Sequence, residues 1–460
     1  MTFVQVEFLV FFAVVFAAYW AIRERRAQNL LLVVASAVFY GWVHPWFVAL
    51  LAFTAGVDFF AARQMERQPR SRKAALAASL VANLGMLATF KYLDFFIENV
   101  AAALAAIGLP TSLHTLGIFL PVGISFYTFQ ALSYTIDVYR GKLRARHDPL
   151  DYATFIVLFP QLVAGPVERA RNLLVQVEAP RAWSTDRLRS GLLLAAWGAV
   201  QKVVVADTVA MYVDRVFAAE APSAGMVAAG SVGFAVQILA DFSGYTDIAR
   251  GTARMLGFEL VENFKSPYLA TSPSDFWRRW HVSFSSWIHE YLYVPLGGSR
   301  LGAVRTALAT YGAMLLSGLW HGASWNFVLW GGYHATLLTV WRHLPSAPRV
   351  PAAVKIAGMF VATCFGWLLF REQRLDRLLL YATLPAGGEE HAVVARAVLA
   401  VSVAFGGVLA VGGLAQRHLL PRLRASPGWP AVESALVSVA TAVVFVFARD
   451  KASEFIYFQF

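Results

Sequence analysis

The sequence predicts an all-α, polytopic integral membrane protein, and its composition is the first observation that predicts it. Hydrophobic residues make up 58% of the 460 residues and charged residues 15%, far to the apolar side of an ordinary soluble protein. Apolar stretches close to the roughly 20 residues that a spanning helix needs recur along the whole chain. Backbone polar groups cannot stay unpaired in lipid, and the strict alternation of a membrane barrel is absent, so these stretches are expected to be helices.

The candidate spans are distributed over the full length of the chain. Several are short for a complete crossing, so about 11 to 12 transmembrane helices are expected. Because no Gly/Ser-rich linker divides the sequence, it predicts a single membrane-embedded domain over residues 1–460. The spans lie near residues 7–22, 29–43, 46–62, 74–90, 115–136, 191–210, 225–241, 303–320, 323–341, 353–370, 395–413 and 431–448.

The distribution of charge favours a membrane setting over a nucleic-acid partner. The formal net charge is +11, but Lys and Arg fall in short loops between the apolar runs, where they orient a chain against the anionic inner leaflet. This arrangement predicts that both chain ends lie outside. The first apolar segment has neither a basic region before it nor a small-residue cleavage pattern, so it is expected to remain as an anchor. The single cysteine, Cys364, allows no intrachain disulfide and no cysteine-based metal site, and no metal is expected.

Two regions depart from simple spanning helices. Residues 242–302 are polar and aromatic, which is typical of helices at the cytoplasmic face or in the membrane interface. In the run 159–171, Pro160, Gly165 and Pro166 interrupt an apolar stretch. Helix breaks at membrane depth are tolerated only where protein or a water-filled cavity covers the freed backbone, so a re-entrant element lining a cavity is one interpretation. An ordinary loop is the other, and the residues leave both open.

His321 is the first candidate for chemistry. It lies in the sequence SGLWHGASWNF, between two apolar runs, and an ionisable group inside a membrane is costly enough to indicate a function. Gly318 and Gly322, spaced i,i+4, allow a backbone or a substrate to approach that face closely. A histidine can accept and return a proton near neutral pH, as a base activating a hydroxyl against a thioester must. The alternative is a buried histidine that only hydrogen-bonds between helices, or one at a periplasmic turn.

A second cluster closes the sequence DFWRRWH. If residues 275–288 form one helix, Trp277 and His281 share a face, and so do Asp275 and Arg279. Arg278 and Arg279 beside the indoles of Trp277 and Trp280 suit an anionic acyl donor, because the planar guanidinium binds two phosphate oxygens at once. The alternative is an interfacial amphipathic helix whose arginines meet lipid headgroups. His289 and His334 lie near these segments, and nothing in the sequence singles them out.

The chain closes with a run of aromatic residues, EFIYFQF, within the tail 449–460. The run is too short to cross a bilayer. An anchor at the membrane interface accounts for it, and so does a tail that folds back into a cavity and presents Tyr457.

Taken together, these motifs resemble the membrane-bound O-acyltransferases, and within them the bacterial branch that includes alginate O-acetyltransferase and its cellulose and peptidoglycan counterparts. The resemblance covers nearly the whole length. One departure is His289-Glu290, where relatives often have Arg-Asp. The motifs are FLPVGISFYTFQALSYTIDVYRG (119–141), FPQLVAGPVER (159–169), DFSGYTDIARGTARMLGF (241–258), NFKSPYLATSPSDFWRRWHVSFSSWIHEYLYVPLGG (263–298), LWHGASWNFVLWGGYH (319–334) and the final FIYFQF.

The resemblance implies a helical bundle with re-entrant and interfacial helices around a central tunnel that joins the two membrane faces. His321 would be the catalytic histidine, His281 the second characteristic histidine, and Tyr457 a transient acyl carrier, since a phenol is a good leaving group. The donor-binding residues would be Trp277, Arg278, Arg279, Trp280 and Asn263. The tunnel would be lined by Trp320, Ser324, Trp325, Gln161, Asp241 and Tyr245.

The resemblance also implies the reaction and its partners. An acetyl group would pass from a cytoplasmic donor, acetyl-CoA, across the bacterial inner membrane to a periplasmic SGNH-hydrolase-like acetyltransferase, which modifies an extracytoplasmic polysaccharide such as alginate. No bound cofactor and no nucleic acid are expected, and membrane lipid is the surrounding partner. A transferase of D-alanyl or another acyl group that uses a carrier protein is an alternative. A transporter is an alternative from another class, although the two related halves that it favours are not visible.

Overall fold

In the computed structural model, every regular element of the described chain is a helix, which confirms the all-α prediction. The chain forms two compact units, each described separately below. The first comprises residues 1–188 and 252–261, and the second comprises residues 189–251 and 262–460. The structure describes residues 1–109, 111–163, 165–344, 350–449 and 455–456.

The first unit contains nine helices in the described residues, with a 3₁₀ turn at Pro69–Ser71 and a π-helical turn at Ala88–Tyr92. The tenth helix begins in this unit and continues into the second. The nine are α1 (Val6–Ala21), α2 (Arg25–Gly41), α3 (Phe47–Arg67), α4 (Arg72–Leu87), α5 (Leu93–Ala106), α6 (Ile124–Tyr139), α7 (Pro149–Val157), α8 (Phe159–Leu162) and α9 (Ala170–Glu178).

A buried polar cluster joins α3, α4 and α6 in the first unit. Asp58 accepts hydrogen bonds from the Ser79 hydroxyl at 2.5 Å and from the Asn83 amide at 2.9 Å. Ser79 also lies 3.1 Å from the Thr135 hydroxyl. These four side chains are almost completely buried. Since a buried polar group is costly unless it is hydrogen-bonded, the cluster specifies how the three helices face one another.

The second unit holds the remaining helices, several of them interrupted by π-helical turns at Val200–Ala206, His289–Tyr293 and Ala415–Leu419. A 3₁₀ turn lies at Pro267–Leu269. The helices are α10 (Thr185–Ala199), α11 (Asp207–Ala218), α12 (Ala224–Met255), α13 (Pro273–Trp277), α14 (Val282–Ile288), α15 (Ala303–His321), α16 (Trp325–His343), α17 (Ala352–Arg371), α18 (Leu375–Tyr381), α19 (Glu389–Leu414), α20 (Leu420–Arg424) and α21 (Trp429–Phe447).

The hairpin of α15 and α16 is packed backbone to backbone. A methyl group added at Gly318 would lie 2.1 Å from the carbonyl oxygen of Phe327, and one added at Gly331 would lie 2.4 Å from that of Met314. Glycine at these positions lets the two helices approach more closely than any other residue would allow. This close crossing sets the position of His321 at the end of α15.

Seven helical segments in the described residues are long and apolar enough to cross a membrane, as expected of a polytopic membrane protein. The predicted spans 29–43, 303–320 and 323–341 form α2, α15 and α16, which are not among the seven. The total of about 11 to 12 transmembrane helices stays a prediction. The seven segments are Phe47–Arg67, Pro69–Ala106, Thr185–Ala218, Ala224–Met255, Ala352–Arg371, Glu389–Arg424 and Trp429–Phe447.

Two predicted boundaries were wrong. The span expected near 115–136 begins only at Ile124, because Pro121 and Gly123, with its left-handed φ of 77°, end the irregular segment before it. The departure from spanning helix expected at Phe242 comes later, because α12 continues to Met255. Its polar residues there neutralise one another, since Arg250 forms an i,i+3 ion pair with Asp247 at 2.8 Å.

Candidate active site

His321 is the last residue of α15 and is only 4% exposed. Its ring lies edge-on to the rings of Trp330 and Phe370, with centroid distances of 5.0 and 5.1 Å. Trp320 and Phe284 add two further aromatic walls at 4.8 and 5.8 Å. The imidazole is therefore enclosed by aromatic side chains, which keep bulk water away from it.

The junction after His321 is extended rather than helical. Gly322 has φ −165° and ψ 154°, and a methyl group there would lie 2.2 Å from the ring of Phe327. Ser324 is also extended and precedes the first turn of α16. Trp325 begins that helix and is 50% exposed. Ser324 and Trp325 thus lie in the same junction as His321, although Trp325 points largely away from the protein interior.

His281 is held in a strained turn rather than in a helix. The condition that residues 275–288 form one helix is not met: α13 ends at Trp277, and His281 adopts the left-handed conformation at φ 43° and ψ 55° before α14 begins. Trp277 and His281 therefore do not share one helix face. Left-handed backbone in a residue other than glycine is uncommon and clusters at functional sites, and the His281 side chain is 1% exposed.

Asn263 maintains this turn. Its backbone carbonyl accepts a hydrogen bond from the Val282 amide at 2.9 Å, and its side-chain oxygen accepts one from the Ser283 amide at 3.3 Å. Two residues further on, the Lys265 amide donates to the Arg279 carbonyl at 2.9 Å. The segment beginning at Asn263 thus pairs with the backbone on both sides of His281, which is the contact that offsets the local strain.

The two histidines lie on either side of shared aromatic rings. The Phe284 ring is 5.1 Å from His281 and 5.8 Å from His321, measured between centroids. Trp320 stacks on Phe284 at 4.0 Å and lies 6.0 Å from His281. The structure therefore brings the two predicted histidines into one aromatic cluster within the second unit.

A cavity of about 780 Å³ adjoins this cluster. Phe284 forms part of its wall, and so does Ser317, which precedes His321 by one helical turn. Of the predicted donor-binding residues, Trp277 and Arg278 line the cavity. Its size falls in the range of small-molecule and cofactor sites. The other wall residues include Ser274, Ser285, Ser286, His289, Tyr293, Thr310, Met314, Trp341 and Arg342.

The remaining donor-binding candidates are placed differently. Arg279 lies 2.9 Å from Asp275, which confirms the i,i+4 pairing, while the Arg278 side chain is 68% exposed. Partial burial acts to raise the pKa of Asp275, but the hydrogen bonds and charge of Arg279 outweigh this and hold the pKa below its ordinary value. Trp280 is buried, with its ring 4.7 Å from that of Trp367. Arg278 is thus the arginine that faces the cavity, and Trp280 belongs to the packed core.

A second, polar cavity of about 390 Å³ also lies in the second unit. Asn263 lines it, together with the paired Asp247 and Arg250 of α12 and with Lys265 and Arg417. Asn263 therefore contacts this cavity and the His281 turn, and it is not part of the wall of the larger cavity.

The predicted tunnel residues lie on several elements, and none of them lines either of these two cavities. Trp320 stands beside His321. Asp241 and Tyr245 lie on α12, where Asp241 forms a 2.7 Å ion pair with Lys202. Gln161 is a buried residue of α8 in the first unit, and its side-chain amide donates to the Phe155 carbonyl at 2.9 Å. The predicted acyl carrier, Tyr457, lies outside the described residues.

Two residues in this region were not predicted. His334 is 2% exposed, and its ring lies 4.8 Å from Trp330 and 5.1 Å from Trp277. Its place in a longer apolar run gives no pattern that would have identified it. Lys202 is completely buried, and here a signal existed, because a lysine in the middle of the predicted span 191–210 is an ionisable group at membrane depth.

Comparison with known proteins gives consistent matches. The sequence model of the membrane-bound O-acyltransferase family, MBOAT, matches residues 141–375. The probable alginate O-acetylase AlgI of Pseudomonas aeruginosa is 39% identical over 384 residues, covering 82% of this chain and 73% of that protein. The peptidoglycan O-acetyltransferase of Helicobacter pylori is 32% identical over 409 residues, covering 80% and 76%. The teichoic acid D-alanyltransferase of Bacillus subtilis is 27% identical over 273 residues, covering 54% and 68%.

Proposed function

This chain belongs to the membrane-bound O-acyltransferase family, and from that premise we propose that it moves an acetyl group from acetyl-CoA on the cytoplasmic side toward a polysaccharide outside the cell. Family membership makes it an O-acyltransferase and a multi-pass protein of the inner membrane, so a transporter is no longer an alternative. The observation that carries the proposal is the burial of His321 one helical turn from the wall of the 780 Å³ cavity, within the part of the chain that matches the family.

The larger cavity is the proposed site for the acyl donor. A coenzyme A thioester combines a long flexible arm with phosphate groups. Arg278 supports this assignment because its exposed guanidinium lines the cavity and can bind phosphate oxygens in pairs. Trp277 and Phe284 supply apolar surface for the arm, and Phe284 is the ring next to His321. Asn263 and Arg279 act indirectly in this proposal, by holding the turn that carries His281.

His321 is the proposed general base. It takes the proton from an acceptor hydroxyl while that oxygen attacks the thioester carbonyl carbon. The carbon–sulfur bond of the resulting tetrahedral intermediate then breaks, and the departing coenzyme A sulfur takes the proton back from the imidazolium. The products are an oxygen ester and free coenzyme A, so the histidine ends the cycle neutral. A base that must return its proton each cycle suits imidazole.

The first acceptor in this proposal is the phenol of Tyr457. A phenyl ester keeps its acyl group reactive, and it can pass that group to a periplasmic SGNH-hydrolase-like acetyltransferase, which would modify the polymer. The relatives named for alginate and for peptidoglycan support an extracytoplasmic glycan as the final acceptor.

A D-alanyl donor presented by a carrier protein is the second candidate. It is favoured by the similarity to the teichoic acid D-alanyltransferase of Bacillus subtilis, which covers 54% of this chain. The higher identity and longer coverage of the two O-acetyl-transferring relatives favour acetyl.

The test uses the full chain reconstituted in vesicles with radiolabelled acetyl-CoA outside. We expect label to accumulate on the protein and to map to Tyr457, and we expect the Tyr457→Phe variant, which loses one oxygen, to accumulate none. Label on Tyr457→Phe at the wild-type level would reject the tyrosyl carrier. A parallel assay offers D-alanyl carrier protein to the same wild-type preparation. If that donor is used while acetyl-CoA gives neither labelled protein nor free coenzyme A, acetyl-CoA is rejected as the donor.

A further inference from the structure

The second unit buries an ionic cluster that the proposed chemistry does not use. The Lys202 ammonium lies 2.8 Å from Asp207 and 2.7 Å from Asp241. All three residues are at most 5% exposed. Lys202 lies in the π-helical turn Val200–Ala206, and such turns are frequent at functional sites. Lys202 thus joins two carboxylate residues in a buried place, where charged groups are costly unless they are paired and hydrogen-bonded.

The C-terminal tail supplies donors to this cluster. The backbone amide of Ile456 donates to the second carboxylate oxygen of Asp241 at 2.6 Å. The guanidinium of Arg449 donates to the backbone carbonyl of Asp207 at 3.0 Å. Phe455 and Ile456 are 0% and 2% exposed. Two points of the tail, on either side of residues 450–454, are thus bound to the two carboxylate residues that Lys202 joins.

The bound tail lies close to the histidine turn. The Phe455 ring is 4.3 Å from Tyr245 and 5.7 Å from Phe242, measured between centroids. Phe242 also contacts His281, with a centroid distance of 4.7 Å. One aromatic ring therefore separates the docked tail from His281.

We propose that Lys202, Asp207 and Asp241, here named the tail clamp, are positioning residues that dock residues 455–456 beside His281. This inference rests on the proposed function, since the next residue along the chain is Tyr457. The clamp acts through charge: Lys202 orients Asp241 with one oxygen toward the ammonium and the other toward the Ile456 amide. A hydrogen bond to an ionised acceptor is stronger than a neutral one, so the Asp241 carboxylate that Lys202 orients is what holds the Ile456 amide.

Asp241→Asn is the decisive variant, because it preserves shape and leaves Lys202 paired with Asp207. The oxygen of the new carboxamide will face the ammonium, which turns its NH₂ group toward the Ile456 amide, and two donors cannot bond. Asp214→Asn is the matched control, since Asp214 is a carboxylate of the same unit that pairs with Arg371 at 2.9 Å instead of with the tail.

The first measurement is hydrogen–deuterium exchange of the C-terminal peptide in the purified full chain in nanodiscs. We expect exchange at the tail to speed up about tenfold or more in Asp241→Asn, which matches the loss of one hydrogen bond to a charged group, and to stay unchanged in Asp214→Asn. Equal protection of the tail in Asp241→Asn and wild type would overturn the clamp. If Asp241→Asn does not fold, Ile456→Pro, which removes the donating amide and leaves the three clamp residues intact, is measured against the same expectation.

The second measurement is acetyl transfer by the same proteins. Docking predicts a lower kcat in Asp241→Asn with an unchanged KM for the donor, because the donor cavity is not altered. If exchange shows that the tail is released in Asp241→Asn while kcat stays at the wild-type value, the tail clamp has no positioning role in the reaction. Exchange reports docking whether or not acetyl-CoA is the donor, so failure of the clamp and failure of the proposed reaction give different results.

Discussion

The second unit of this acyltransferase buries two polar centres in opposite ways. Around His321 the neighbours are rings: Trp320, Trp330, Phe370 and Phe284 all lie within 5.8 Å between centroids. Around Lys202 the neighbours are two carboxylates at hydrogen-bonding distance, reinforced by the tail. His321 and Lys202 are both at most 4% exposed, yet the side chains that surround them are of different kinds.

The two surroundings suit different tasks. Imidazole can accept and return a proton near neutral pH, and the rings around His321 keep bulk water away from that exchange. A buried ammonium needs counter-charges, and once paired it is held in one geometry. The aromatic site is therefore suited to chemistry and the ionic site to positioning.

Removing the imidazole should have the largest effect. In His321→Gln we expect kcat for acetyl transfer to fall by about 10²- to 10⁴-fold, the usual contribution of a general base, with the protein still folded. His343→Gln is the control, because His343 is an exposed histidine at the end of α16. The rate is measured with labelled donor. If His321→Gln transfers acetyl at the wild-type rate, His321 is not the general base.

Removing the ammonium should lower the stability of the fold as well as release the tail. Lys202→Met leaves two buried carboxylates without their counter-charge, and we expect it to lower the free energy of unfolding by about 3–5 kcal/mol. The variant that also carries Asp207→Asn and Asp241→Asn should recover most of that loss. Denaturant titration in detergent micelles measures both. A single Lys202→Met variant as stable as wild type would show that the ionic centre is not held by charge.

Opening the helix hairpin should disturb the aromatic site through packing alone. In Gly318→Ala the new methyl group would lie 2.1 Å from the Phe327 carbonyl oxygen, so we expect a loss of about 1–3 kcal/mol and a lower Tm. Gly332→Ala is the control on the facing helix, since its nearest neighbour would be a Leu315 methyl at 3.8 Å. Equal Tm values for the two variants would argue against the close helix crossing at Gly318 as the contact that fixes the position of His321.

The smallest effect is expected at the pair Asp275–Arg279, whose charges are partly hydrated. Asp275→Asn removes the ion pair with Arg279, and an exposed pair of this kind contributes about 1 kcal/mol or less. Because the folded pKa of Asp275 is below its ordinary value, this stabilisation is present above about pH 4, the ordinary Asp value, and is lost as the pH falls through the folded pKa. The stability difference between wild type and Asp275→Asn, measured against pH, should shrink on acidification. A difference that does not depend on pH would contradict the ion pair as its source.

Some features of the site could be read from local sequence because they depend on local spacing. The all-helical class follows from apolar runs of membrane length. The Asp275–Arg279 pair follows from i,i+4 spacing, which the turn after α13 preserves. His321 was identifiable because an ionisable residue between two apolar runs is costly wherever it packs. Lys202 carried the same signal, but its partner Asp241 is far along the chain and could not be read from spacing.

By itself, then, the sequence determined the helical membrane class and the family, and it predicted the two candidate histidines, because these rest on composition, periodicity and motif. Only the tertiary structure decided that His281 adopts a left-handed turn between two helices and that Asn263 holds this turn. It also decided that Asp241 contacts both Lys202 and the backbone amide of Ile456 in the tail. The physical reason is that these contacts join residues distant in sequence. Their energies depend on which donors, rings and charges meet after packing, and no local pattern records that.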